Sequence, residues 1–498
     1  MPVPDRALGL VTLAVLGGMT ALAGCTSLKP RPPDPLPPPA ASWSERHGGS
    51  ETLAADEGAA AALPADRWAV FGDPVLQRLQ ARAETANLDA QAAALRVLQA
   101  RVQEQTVKAQ RGPQLSATAS AARQRQSENG AASRLVNAIG GANAEPLRKL
   151  LSAPFTLYDA GFDASWEPDL WGRVARSVDA ARADTAGQAA ALRLMQLTVR
   201  AEVARAYFQL RAAQRQAQLV QAEVTAAEDT TGLLDAQQRN GLTDESALLR
   251  QRAQVDLLQG ALPALRAQEA QASNQLTLLC GAEPGSLAAE LSADTASATD
   301  PPLPDLRLGL PADLTRHRPD IAAAEARLQG VTANLGIAMA DLYPRIVLGA
   351  NFGYESVGGG TFGDWGSRQW NVGASLNLPI WDQGRRRSTI SLRGLQRQEA
   401  AVALQGTALK AWHEVDDAIS AYVAESQRQQ QLADRLRQTE AEQALARERR
   451  KSGLTSELPL LTATMQRLDA ERDVVDSRAR LNTALASLYK ALGDDGAR

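Results

Sequence analysis

Two hydrophobic periods run along this chain. Over residues 370–380, WNVGASLNLPI, every second position is apolar (Trp370, Val372, Ala374, Leu376, Leu378, Ile380), while Asn371, Gly373, Ser375 and Asn377 between them are small or polar. A period of two predicts a β-strand with two unlike faces, here over about 369–380. The same alternation runs through Ile346, Leu348, Ala350, Phe352 and Tyr354, predicting a strand over about 345–355. It recurs in Tyr158, Ala160, Phe162, Ala164 and Trp166, over about 155–167, and more weakly in Leu115, Ala117, Ala119 and Ala121, over about 114–126. The other long segments are rich in Ala, Gln, Arg and Glu and predict helix. One runs from about Val174 to Arg239 with no proline and only Gly187 and Gly232. At 1.5 Å per residue it would reach roughly 100 Å. It stops at Asn240-Gly241-Leu242-Thr243, where the glycine ends one helix and the threonine stands ready to cap the next. Ser452-Gly453-Leu454-Thr455 has the same form.

The chain is written twice. Glu202 and Glu414, Gly241 and Gly453, and Gly281 and Gly493 stand in matching contexts, each pair 212 positions apart. A constant offset over that distance indicates duplication. Each copy reads helix, strand, loop, strand, very long helix, tight turn, returning helix. The expected organisation is a first repeat over 67–281 with its tip at about 240–243, a linker over 282–309, a second repeat over 310–493 with its tip at about 452–455, and a tail over 494–498. The insert between the first two strands is longer than that between the second two, as loops allow.

Four strands of about ten residues match the length that crosses a bilayer at a tilt. Of the tryptophans, Trp166, Trp171, Trp365, Trp370 and Trp381 fall in or beside these strands. With Tyr158, the residues Trp166, Trp171, Trp370 and Trp381 fit an aromatic girdle at the membrane–water boundary. No second sheet is available to cover the apolar faces. Four strands cannot close a barrel, and open edges are not tolerated in hydrocarbon. The chain must therefore assemble with copies of itself, its apolar strand face meeting lipid and its polar face a water-filled lumen.

The N-terminus fits an exported protein. One arginine precedes the run ALGLVTLAVLGGMTALAG, a secretory signal over 1–24. Leu22-Ala23-Gly24-Cys25 resembles the bacterial lipobox, making Cys25 the acylated residue, and Thr26 lacks the Asp that marks inner-membrane retention in lipoprotein sorting. The segment to residue 66 includes KPRPPDPLPPPA, which reads as an extended tether. Cys280, in an apolar run, reads as a small buried hydrophobe. A formal net charge of -3 argues against nucleic acid as a partner. His47, His317 and His413 lie far apart, with no metal-ligand spacing and no catalytic constellation.

In combination, these features resemble the TolC-like outer membrane factors, in particular the acylated NodT/OprM-type lipoproteins of tripartite RND efflux systems. The likeness rests on the Cys25 lipobox and on the Trp68-Ala-Val-Phe-Gly-Asp73-Pro74 segment. It rests further on Leu310-Pro-Ala-Asp-Leu-Thr-Arg-His-Arg318-Pro319-Asp320-Ile321, Leu342-Tyr343-Pro344, Leu378-Pro379-Ile-Trp381-Asp-Gln-Gly384-Arg385 and the two Gly-Leu-Thr turns. The resemblance implies a mainly α fold with a membrane β-barrel: a homotrimer whose twelve-stranded barrel in the outer membrane continues into a twelve-helix periplasmic barrel. It implies no cofactor and a passive exit duct for drugs or other toxic small molecules. Its partners would be outer-membrane lipid, a periplasmic adaptor docking on the tips (Gly241, Leu242, Thr243, Gly453, Leu454, Thr455) and an inner-membrane RND-type transporter. Asp244, Glu245 and Glu457, with Arg250 as a partner and Arg239 and Arg449 as further ones, become gate candidates, because threefold symmetry would make each acid a charged ring. The same acids have a plain role too, complementing helix N-termini. A duct for type I protein secretion or metal efflux is the alternative within transport, and a trimeric structural or adhesive stalk the alternative outside it.

Overall fold

The computed structural model describes residues 67–130, 144–292 and 318–493. Cys25, its signal and tether, His47, His317, most of the 282–309 linker and the 494–498 tail lie outside the described residues. After a 3-10 turn at Arg67–Phe71 come α1 (Pro74–Ala86), α2 (Leu88–Ala109), β1 (Gln114–Gln124), α3 (Ala144–Leu151), β2 (Phe155–Trp166), α4 (Arg173–Arg239), α5 (Glu245–Leu279) and the short α6 (Ala288–Leu291). Then follow α7 (Pro319–Ala340), β3 (Arg345–Ser356), β4 (Arg368–Asn377), α8 (Arg385–Lys451) and α9 (Leu458–Leu492). Helices recur at equal lengths. α2 and α7 have 22 residues each, α4 and α8 have 67 each, and α5 and α9 have 35 each.

Two local differences from the sequence reading have plain causes. Part of the first inter-strand insert is the amphipathic helix α3, with acidic Glu145 in its first turn and Arg148 and Lys149 in its last, a charge order that suits the helix dipole. β4 ends at Asn377 rather than near 380, since Pro379 has no N–H to give a ladder.

The chain forms two compact units, each drawing on both halves of the sequence. One comprises Ala100–Asp184 and Leu328–Ala400 and holds the sheet; the other holds the described residues of 34–99, 185–327 and 401–498. In the first unit the four strands pair antiparallel in the order β1-β2-β3-β4, leaving β1 and β4 as edges. β1 pairs with β2 in the register Ala117↔Phe162, β2 with β3 as Phe162↔Phe352, and β3 with β4 as Phe352↔Trp370. Gly161 and Gly353 face one another, and a Cβ on Gly353 would come within 2.6 Å of the Ala160 carbonyl oxygen, so neither tolerates a side chain there.

In the second unit a helical core gathers Trp68, Phe71, Leu76, Leu79, Leu197, Tyr207, Leu210, Leu276, Ile419, Leu481, Leu485 and Tyr489. Trp68 meets Tyr489 edge-on at 6.0 Å, and Phe71 lies 4.9 Å from Phe208. Asp73 caps α1 by accepting from the amides of Val75 (2.8 Å) and Leu76 (3.2 Å), and its other carboxylate oxygen takes the Tyr207 hydroxyl. Arg318, buried, donates to the Ala491 carbonyl at 2.7 Å and to the carboxylates of Asp320 (2.7 Å) and Glu414 (2.6 Å). It satisfies a last-turn carbonyl of α9 and ties α7 to α8 with its charge fully paired. Cys280 is buried, its thiol donating to the Leu79 carbonyl at 3.6 Å, and burial raises its pKa to about 11.

Candidate functional site

Register decides what the sheet can do. Residues directly opposite in antiparallel strands share a face. Four rows of partners therefore line up on one side: Ala117–Phe162–Phe352–Trp370, Leu115–Ala164–Ala350–Val372, Trp166–Leu348–Ala374 and Ile346–Leu376. On the other side stand Ser116–Asp163–Asn351–Asn371, Thr118–Gly161–Gly353–Gln369 and Ser120–Asp159–Glu355. Polar side chains on that face bond across strands, Thr118 to Asp163 at 3.2 Å and Gln369 to Asp159 at 2.7 Å. Four separate alternations thus become one apolar surface and one polar surface. The apolar surface is bare: Val372 is 73% exposed and Trp370 69%, and Leu115, Phe162, Phe352 and Leu376 are exposed as well. Among the described residues no helix is long and apolar enough to cross a membrane.

Aromatic residues stand near both ends of the strands. At the end where the chain joins its helices are Trp166, whose Nε1 donates to the Arg111 carbonyl at 2.9 Å, and Trp171, half-buried, whose Nε1 donates to the Pro344 carbonyl at 2.7 Å. Trp171 also stacks on Tyr343 at 5.1 Å, so it locks the chain crossing between the first and second strand pairs. Trp381, just beyond β4, is 85% exposed. At the opposite end Tyr158 packs against Phe362 at 6.3 Å, and the Arg368 guanidinium lies 4.2 Å over the Trp365 ring.

The strand-to-helix joint is held by charge. Glu167 accepts two bonds from Arg173 (3.0 and 2.8 Å) and one from Arg345 at 2.8 Å. The Arg173 hydrogen bonds, opposed by burial, hold its carboxyl below the usual range. Asp169 caps α4, accepting from the amides of Val174 (2.9 Å) and Ala175 (2.7 Å).

The two helical turns, both in the second unit, have one backbone design. Gly241 takes φ 68° and Gly453 φ 70°. The Leu242 amide donates to the Gln237 carbonyl at 2.9 Å, and the Leu454 amide to the Arg449 carbonyl at 2.9 Å. These six-to-one bonds, with glycine in the left-handed region, are Schellman closures. They leave Leu242 77% and Leu454 75% exposed.

Side chains distinguish the turns. Thr243 does not cap α5; Asp244 does, its Oδ1 accepting from the Ala247 amide at 2.8 Å and the Ser246 hydroxyl at 2.9 Å. The Ala247 amide, then Ser246, lowers the Asp244 pKa. Arg250 reaches the same Ser246 oxygen at 3.1 Å, so Asp244 and Arg250 are linked through a serine. Thr455 does not cap α9 either, and Glu457 stands at the N-cap in helical conformation without a capping bond. Glu457 is instead bound by Arg450, at 2.9 Å from Nε and 2.8 Å from Nη2. Sequence spacing alone does not single out Arg450; its signal is the basic end of α8, Arg449-Arg450-Lys451, with Arg450 seven residues before the acid. Arg239 pairs with Asp235 on its own helix. Glu245 sits exposed in the first turn of α5. His413, exposed on α8, joins none of these groups, and among the described residues no three His, Cys, Asp or Glu side chains could hold a metal ion.

The family described as outer membrane efflux protein matches residues 79–282 and 310–494. Outer membrane protein OprJ of Pseudomonas aeruginosa is 31% identical over 475 residues, covering 94% of this chain and 93% of its own length. The pyoverdine export outer membrane protein OpmQ of Pseudomonas putida is 30% identical over 494 residues, covering 97% of each chain. Among solved structures, the outer-membrane channel OprN gives a TM-score of 0.78 at 27% identity, covering 94% of this chain and 98% of its own. The CmeC outer membrane channel of Campylobacter jejuni, at 20% identity and a TM-score of 0.79, shows the same fold. A mostly helical chain, four strands with one bare apolar face, and these similarities along nearly its whole length make it a member of the outer membrane efflux protein family.

Proposed function

We propose that this chain is the outer-membrane exit duct of a tripartite efflux pump, passively conducting drugs or other toxic small molecules outward. The single observation that carries the reading is the sheet: one continuous exposed apolar face, one polar face and two unpaired edges. In hydrocarbon, unpaired edges are untenable. Because the four strands alternate in direction, β4 of one copy meets β1 of the next antiparallel, and three copies close twelve strands around a lumen lined by the polar face. The paired long helices, α4 with α8 and α5 with α9, then supply twelve helices to a periplasmic barrel.

Within that assembly Cys25 carries the lipid anchor and Tyr158, Trp166, Trp171, Trp370 and Trp381 form the girdle. Gly241, Leu242, Thr243, Gly453, Leu454 and Thr455 present the docking tips to a periplasmic adaptor, which couples the duct to an inner-membrane RND-type transporter. Exposed leucines at both turns support docking, since such residues favour a covering partner. Asp244 with Arg250, Glu245, and Glu457 with Arg450 line the aperture. Small-molecule efflux is favoured over other cargo by the relatives, among them the toluene efflux pump outer membrane protein TtgF of Pseudomonas putida.

The test is conductance. Purified protein added to a planar bilayer is expected to give long-lived, ion-conducting unitary events. Stable insertion without conductance, or failure to insert, overturns the duct.

A further inference from the structure

The two strand-to-helix joints are built alike but charged differently. At the first, Trp171-Gly172-Arg173-Val174-Ala175-Arg176, every basic group has a carboxylate: Arg173 holds Glu167 at 2.8 Å and Arg176 reaches Asp179 at 3.4 Å. At the second, Trp381-Asp382-Gln383-Gly384-Arg385-Arg386-Arg387, three consecutive arginines open α8. Asp382 takes only the middle one, Arg386, at 2.9 Å, and also accepts from the Gly384 amide at 3.1 Å. Arg385 and Arg387 are exposed, and neither has an ion-pair partner among the described residues.

Arg385 shares a cavity with Glu167, Asp169 and Asp341 without pairing to them, and the chain that leads into this charge is apolar. Leu376 closes the bare face of the sheet, and after it come Ile380, 89% exposed, and Trp381, 85% exposed. Arg385 follows Leu376 by nine positions. A lipid-facing surface, an exposed tryptophan and then free cations is the order of chemistry met on leaving a membrane: acyl chain, interfacial ring, headgroup phosphate. The glycine turn fixes that spacing, with Gln383 at φ 55° and Gly384 at φ 86° turning the chain into α8.

Building on the membrane-barrel reading, we infer that Trp381, Arg385 and Arg387 form a basic surface that attracts anionic glycerophospholipid headgroups of the periplasm-facing leaflet, one such surface per copy. The arginines point to different sides of α8, being two positions apart on a helix of 3.6 residues per turn. They act together as a local positive field over the surface. The first joint, with its cations paired, offers no such surface.

Full-length protein in detergent, titrated with phosphatidylglycerol or phosphatidylcholine, gives bound-lipid counts by native mass spectrometry. Wild type is expected to prefer phosphatidylglycerol by about 25-fold. Arg385→Gln with Arg387→Gln should lose about fivefold of that preference per arginine, and the double lysine variant should keep it. Arg123→Gln, at the opposite end of β1, should leave it unchanged. No preference in wild type, or one that survives the double glutamine variant, overturns the inference. Should that variant fail to assemble, wild type at about 1 M salt decides, because a headgroup preference is screened there and one that persists contradicts the inference. Protein that conducts in bilayers yet shows no lipid preference refutes this inference alone; protein that neither inserts nor conducts refutes the duct beneath it.

Discussion

The sheet and the helical core use the same residue types and treat them oppositely. Leu485 and Tyr489 are buried against Trp68 and Leu481, whereas Leu376, Val372 and Trp370 stand bare on a surface that four strands assemble in register. Inside the core an apolar side chain is surrounded by protein that cannot flow into a gap. On the sheet, in this reading, it is surrounded by acyl chains that can. Hydrophobicity alone therefore does not distinguish a core from a membrane wall; what fills the space around each side chain does.

The same truncation should expose that difference most strongly. Leu485→Ala should cost about 3–4 kcal/mol, the lost transfer energy plus an unfilled cavity. Leu376→Ala should cost about 1–2 kcal/mol, because lipid closes the gap and only the transfer remains. Urea unfolding from lipid vesicles measures both, and equal costs would mean that the sheet packs against protein.

Next in size is a test of the two faces at adjacent positions. Val372→Arg places a charge in hydrocarbon and should cost about 2–4 kcal/mol per copy, seen as lost folded protein in outer membranes. Asn371→Arg, one residue away on the polar face, should fold normally and shift ion selectivity.

Smaller still is the joint charge. Glu167→Gln leaves Arg173 and Arg345 sharing a neutral amide and should cost about 1 kcal/mol, discounted for solvent access. Since Arg173 lowers the Glu167 pKa, wild type has this contribution above the unfolded carboxylate value. It loses it as pH falls past the ordinary glutamate range and through the lower folded one. The variant should lack that acid-sensitive component when thermal unfolding is followed against pH.

The smallest energetic effect is expected at the tips, where function would move more than stability. Asp244→Asn keeps a good N-cap while removing a charge, and Glu457→Gln releases Arg450. Both should leave unfolding nearly unchanged and lower the preference for cations in reversal-potential measurements. Because the Asp244 carboxyl is held below its ordinary value by the Ala247 amide and Ser246, its share of that preference should persist as pH falls into the ordinary aspartate range.

Much of this was legible in the residues, and the exceptions are physical. The strands showed through strict alternation, and the turns through glycines 212 positions apart. The face shared by all four strands was not visible, because pairing register is a property of two strands and alternation of one. The end of β4 was overrun, since Ile380 keeps the period after Pro379 has ended the ladder. α3 does not show in the sequence pattern, being short and lying within an insert. At the tips the acids were picked out, but capping went to Asp244 rather than Thr243, and Glu457 found Arg450 rather than a backbone amide. Competing polar groups one or two residues apart are settled by local geometry that spacing does not encode.

The most direct test of the account is the native mass of the solubilised protein, from light scattering with the detergent contribution removed. Three chains per particle is the prediction, the number that turns four strands with two open edges into twelve strands with none. A stable particle of one chain would contradict it, since the exposed face and edges would then have no membrane wall to form.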